Sequence, residues 1–228
     1  MLKQQYLMAF LLVLGQFWLM ERADAQLNIQ AAYGFSRIQS NSINQIIESY
    51  NHNNEWMASP MPQLKYAHGF TVGMRYSWEY FSLGASWRNS FASMRGEGIK
   101  PTTGLNYFME LGYKNQAYVL ALETNAKYLE LGTSIEFQKI KFTQLFTGIT
   151  DKSPISNLSA FGSRFYLNIN LPPGERVGIT IQPFVSVLWS ELNVSSLQNA
   201  LTIYTPYKES GKINEIGVQF IFNNGPQE

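Results

Sequence analysis

The chain holds two histidines, at 52 and 68, and these are the natural starting points for any chemistry. His52 stands between Glu48 and Glu55, a spacing that could gather an imidazole and two carboxylates around a cation. One histidine with two carboxylates in an asparagine-rich stretch is the pattern of solvated surface, however, and no metal ligands are assigned. His68 could serve acyl transfer only with a nucleophile beside it, and no serine follows two residues on. It reads as an interfacial aromatic. Beyond residue 25 the one aspartate is Asp151, which excludes an aspartate dyad. There is no cysteine, phosphate loop or dinucleotide fingerprint, so no catalytic residue and no cofactor are expected.

The remaining candidates are nine charges at alternating positions: Arg75, Glu79, Arg88, Glu110, Glu123, Glu130, Glu136, Arg164 and Glu215. Such a set has two uses. It could line a narrow, cation-preferring pore, or it could pair internally and fill a small barrel as core residues fill a soluble domain.

Both uses require strands. Period-two alternation recurs from residue 27 almost to the end, and the chain reads as all-β. Ten strands are expected, near 27 to 37, 66 to 79, 81 to 93, 104 to 113, 117 to 125, 128 to 138, 140 to 149, 158 to 171, 176 to 190 and 213 to 222. Short links at 79 to 80, 114 to 116, 138 to 139 and 172 to 175 alternate with longer ones, so one end carries tight turns and the other loops. Eight strands is the alternative.

Sorting by parity puts Phe70, Val72, Met74, Tyr76, Trp87, Tyr107, Met109, Leu111, Tyr113, Leu131, Ile135 and Phe137 in an apolar set, opposite the nine charges. Either the apolar set is the core of a soluble barrel, or it faces lipid and the charges face a lumen. The lysines, Lys114, Lys139 and Lys141 included, are expected at turns and strand ends rather than on outward strand faces. Glycines such as Gly84, Gly112, Gly132 and Gly217 share the charged set, where they leave room for long side chains. Trp78, Tyr80, Phe81, Tyr113, Tyr118, Phe137 and Phe222 are expected at one height, near the tight turns, as an interfacial girdle. Lipid is therefore the expected surroundings: an arginine facing mid-membrane costs about 2–4 kcal/mol.

Composition agrees. Charged residues make up 14%, against about 25% in an ordinary soluble domain. The net charge of +1, without a run of either sign, gives no support to a nucleic-acid partner. Lys3, the apolar run of residues 6 to 20 and the small-x-small site Ala23-Asp24-Ala25 read as a secretory signal over 1–25, leaving 26–228 as one domain.

Near the C-terminus, "EIGVQFIF" is similar to the outer-membrane β-signal, with Glu215, Gly217, Phe220 and Phe222 at its marked positions. With the signal segment and the strands, the chain resembles the small outer-membrane β-barrel family of diderm bacteria, of the type common in Bacteroidota. The resemblance implies a closed antiparallel transmembrane barrel with short periplasmic turns and long extracellular loops. Its implied partners are outer-membrane lipid, the barrel-assembly machinery during insertion, and an envelope protein met through the loops. A non-enzymatic structural or interaction role follows, such as an accessory subunit of an envelope complex. The alternatives are a narrow channel for small solutes and a secreted soluble ligand-binding barrel.

One loop stands out. Ile43, Ile46, Ile47 and Tyr50 recur at helical spacing after Ser42, a candidate N-cap, and Trp56 and Met57 follow. This segment is either an interaction surface or a helix folded over the barrel mouth.

Overall fold

The computed structural model describes residues 26–126, 128–171, 177–201 and 210–224. The expected signal segment, the expected turn at 172 to 175 and residues 202 to 209 lie outside the described residues.

Eight antiparallel strands close into a barrel: β1 (Gln26–Gln39), β2 (Tyr66–Ser77), β3 (Phe81–Ile99), β4 (Asn106–Thr124), β5 (Leu129–Phe146), β6 (Ser153–Asn170), β7 (Val177–Leu188) and β8 (Asn214–Asn224). Each pairs with its neighbour in sequence, and β8 pairs with β1. One hydrogen-bonded row runs from Ile38 through Glu215, Ser186, Arg164, Ser134, Ala121, Gly84 and Arg75 to Asn28, ten residues from its start on the same strand. Eight strands with that stagger tilt by about 40° and leave an interior that side chains can fill.

The ten-strand expectation is thereby corrected. The segments 104–113 and 117–125 are one strand, β4, and 128–138 and 140–149 are one strand, β5, paired without a break from Met109↔Phe146 to Glu123↔Gly132. Residues 114 to 116 and 138 to 139 are partners within that ladder, Gln116 opposite Lys139 and Ala117 opposite Gln138, so neither link is a turn. The positive-φ glycines Gly104 and Gly148 lie instead in the β3–β4 and β5–β6 loops.

Continuity through residue 114 also fixes parity. Tyr118, Leu120 and Leu122 are exposed, so the odd residues of β4 face inward, and Met109, Leu111 and Tyr113 are buried inside rather than outside. Tyr113 thus leaves the expected girdle, and Tyr118 and Phe137 sit well above the turns. Gly112 moves to the outer face, against Thr143.

Each residue of a strand tilted by about 40° gains about 2.5 Å of height, so ten span an apolar band of about 25 Å. The 18- and 19-residue strands β3 to β6 continue roughly 20 Å beyond it. Their inner faces carry a second, apolar core. Helix α1 (Asn41–Asn53) lies within it, with Ile43, Ile46 and Ile47 fully buried and Tyr50 nearly so, against Met94, Met109, Leu111, Ile140 and Phe142. A short helix, α2 (Ser195–Ala200), contributes Leu197.

The helix is held by its asparagines. Asn51 donates to the Met61 carbonyl at 2.8 Å and accepts from its N–H at 2.9 Å, while Asn44 accepts from the Leu64 N–H at 2.9 Å. Ser40 occupies the N-cap position, and Ser42 instead donates to the Ser210 carbonyl. The returning chain hydrogen-bonds the edge of β3 through Ser59 and Glu97. Gly98 permits this approach, since a Cβ there would lie 2.7 Å from the Met57 Cα.

Candidate functional site

The inward positions of the lower barrel form two linked clusters. Near the short turns, Arg75 reaches Glu130 at 2.7 Å and Glu123 at 3.0 Å and donates to Ser82. Tyr166 donates to Glu123 at 2.7 Å, and Asn168 donates to Glu130 at 3.0 Å. Gln182 donates to Asn168, and Gln219 to Gln182. Gly132 makes the first cluster possible: a Cβ on it would lie 2.1 Å from the Tyr166 ring.

Higher up, Glu136 accepts a bidentate pair from Arg88 at 2.7 and 2.8 Å, with Arg164 at 3.2 Å and Gln138 donating at 2.8 Å. Arg164 also lies 3.9 Å from Glu215 and stacks over the Phe184 ring at 3.7 Å. Asn115 donates to Gln138 at 2.9 Å. All seven charges of these clusters are buried.

Three arginines therefore face four glutamates. Pairing explains why the residues alternate as they do: each arginine has a carboxylate within 3.2 Å, and a buried ion is tolerated when it is paired. Between the clusters lies a cavity of about 50 Å³, and toward the loop end another of about 20 Å³. Volumes of this size fit a few waters and are too small for a solute path.

Two of the nine sequence candidates are placed elsewhere. Glu79 is exposed in the β2–β3 turn, because β2 ends at Ser77. Glu110 is on the outer face of β4, since the parity through residue 114 is continuous, and it binds Lys152 at 2.7 Å. That hydrogen bond holds its carboxyl below the usual range. The buried members that sequence reasoning did not single out are the neutral ones, Tyr166, Asn168, Gln138, Asn115 and Gln182. Tyr166, Asn168 and Gln182 stand at inward parity in the sequence pattern, whereas Asn115 and Gln138 fall in the links expected to be turns.

The apolar face of α1 is committed to the inner core, so Ile43, Ile46, Ile47 and Tyr50 offer no surface. Met57 is buried too, and Trp56 packs edge-on against Tyr107 at 5.6 Å. Of the C-terminal residues, Glu215 and Gly217 face inward, whereas Phe220 and Phe222 are exposed on the outer face. His68 is outward, its Nδ1 2.6 Å from the Tyr33 hydroxyl and its ring against Phe91. His52 pairs with Glu55, both exposed, while Glu48 is taken by Gln63.

No protein-family model and no curated protein matches the chain. Among solved structures, it is similar to Ail, the attachment invasion locus protein of Yersinia pestis, seen in complex with the heparin analogue sucrose octasulfate: 11% identity, 87% of this chain, 98% of that chain, TM-score 0.45. Neisserial surface protein A matches at 8% identity over 86% of this chain and 97% of that one, with a TM-score of 0.43. The N-terminal β-barrel domain of Pseudomonas aeruginosa OprF matches at 10% over 87% and 100%, with a TM-score of 0.33.

Proposed function

We propose that this chain is an integral outer-membrane β-barrel with a non-enzymatic structural or interaction role, residues 1–25 being its secretory signal. The observation that carries the reading is the inversion of an ordinary core. Leu27, Ile29, Leu120, Leu131 and Phe165 are more than half exposed on the outer face, while Arg75, Arg88, Arg164 and four glutamates are buried within. In water such an exterior would aggregate, whereas in lipid it is the surface a barrel requires.

The short turns and both strand termini would then face the periplasm, and the extension of β3 to β6 would stand outside the cell. Glu215, Gly217, Phe220 and Phe222 would serve insertion by the assembly machinery, and an envelope partner would be met at the outer surface of the extension. The paired lumen favours a closed barrel over the narrow-channel alternative, and the Bacteroidota type is proposed on the sequence resemblance.

Detergent extraction followed by gels with and without boiling tests this. A compact band that shifts on heating is expected, together with silence in planar bilayers. Release by carbonate without detergent would overturn the membrane reading, and reproducible unitary conductance would overturn the closed lumen.

A further inference from the structure

The fusion of the expected hairpins moves three lysines. Lys114, Lys139 and Lys141 are not turn residues: they lie inside β4 and β5, on the outward parity shared with Tyr118 and Phe137. Lys114 is directly opposite Lys141, and Lys139 is opposite Gln116. Like charges facing each other across a ladder are unfavourable by a fraction of a kcal/mol, and among the described residues no carboxylate pairs with either. Their outward neighbours in register are Phe91, Gln116, Thr143, Asn157 and Ser159, with no carboxylate among them. Glu110, further along β4, is already taken by Lys152.

Their height is specific. Lys114 is ten residues from Thr124, and Lys139 ten from Leu129, the ends of their strands at the short turns. Ten tilted residues rise about 25 Å, which is the thickness of the apolar band, so the lysines mark its loop-side boundary. Immediately below them the outer face is indented. Trp87, Tyr118, Leu120, Ile135 and Phe137 wall a groove of about 740 Å³, with Ala85 as a small residue in its floor. That is within the roughly 300–1,000 Å³ range of small-ligand sites.

A cationic cluster with no carboxylate partner among the described residues, set on the rim of an apolar groove at the membrane surface, matches an amphiphile with an anionic head and acyl tails. Resting on the membrane reading above, we propose that Lys114, Lys139 and Lys141 with this groove form a site for a phosphate-bearing anionic lipid of the loop-side leaflet. The lysines would take the head-group phosphate, and the groove would take an acyl chain. The lipid supplies the negative charge that the Lys114–Lys141 pair lacks.

The test uses full-length protein folded in neutral detergent micelles and titrated with phosphatidylglycerol, phosphatidylcholine of the same chains, or inorganic phosphate. Thermal loss of the compact gel band is the readout. Phosphatidylglycerol is expected to raise the midpoint, phosphatidylcholine and free phosphate to leave it unchanged, and high salt to abolish the effect. The triple variant Lys114→Gln, Lys139→Gln, Lys141→Gln should bind phosphatidylglycerol roughly tenfold to a hundredfold more weakly. Ala85→Leu, which fills the groove and leaves the lysines, should also weaken it. Equal stabilisation of wild type and triple variant, or an equal response to inorganic phosphate, would overturn the lipid site. A protein that never gives a heat-shifting band would overturn the membrane reading instead, so the two failures are distinguishable.

Discussion

Replacing Glu136 by glutamine should be among the most damaging isosteric changes in the barrel. The carboxylate is fully buried, receives both terminal nitrogens of Arg88 at 2.7 and 2.8 Å, and lies 3.2 Å from Arg164. In the variant Arg88 keeps no carboxylate within pairing distance among the described residues, and Arg164 keeps only Glu215 at 3.9 Å. Removing one partner of a buried pair costs about 3–5 kcal/mol. The adjoining cavity, lined by Arg88, Glu136 and Arg164, can admit water to the orphaned guanidinium, which favours the lower end, about 3 kcal/mol. Against a typical total of about 5–15 kcal/mol that is a large fraction. The assay is urea unfolding in lipid vesicles, followed by tryptophan emission and by the compact gel band. Adding Arg88→Gln to the same chain removes the orphan, so the double variant should lose less than the sum of the singles, by about 1–3 kcal/mol. A Glu136→Gln protein within about 0.5 kcal/mol of wild type would show that the lumen charges are hydrated and act independently, contrary to the argument from burial.

Gly132→Ala should force the Tyr166 ring off Glu123 and destabilise by about 1–3 kcal/mol, read by the same urea titration. Ile46→Ala, at a fully buried helix position, should cost about 2–5 kcal/mol within the loop-end core. Limited proteolysis should then cut residues 40 to 65 while the compact band persists. Burial raises the phenol pKa of Tyr50 and of Tyr107, so both hold their protons more tightly folded than unfolded. Their contribution is complete below the ordinary tyrosine value of about 10 and declines above it, so the thermal midpoint of the loop-end core, followed by the circular dichroism of α1, should fall between about pH 10 and 12 and hold between 7 and 9. Phe220→Ser with Phe222→Ser should lower membrane insertion in cells more than refolding of purified protein into detergent, measured as compact-band yield in each.

Much of this was legible in residues and spacing. Alternation in β1, β2, β5 and β7 assigned faces correctly because their interior is polar and their exterior apolar along the whole band. It failed in β4, where the interior changes character. Below residue 114 the inner positions are apolar, Met109, Leu111 and Tyr113, whereas Asn115 and Glu123 above it are polar; outward, Glu110 and Lys114 give way to Tyr118 and Leu120. Periodicity reports that two faces differ and is silent on which is inside. A reversal of polarity along one strand therefore imitates a turn, and the spurious turn displaced Glu110 and hid the lysines. The helix was legible from Ile43, Ile46, Ile47 and Tyr50, but its occupants' side of the barrel was not, because the residues that bury it come from strands far along the chain.

That separation has a bearing on how the molecule is made. Helix α1 follows the first strand, yet its apolar face is covered by Met94, Leu111, Phe142, Leu197 and Ile213, the last of these just before the final strand. Strands β1 to β7 each contribute to that core, so the complete site for the helix exists only once they are in place. A segment with four large apolar side chains therefore has no cover of its own until strands far along the chain stand beside it. A seated helix reports that β1 to β7 already stand together at their loop ends, so the cap doubles as a mark of near-completion.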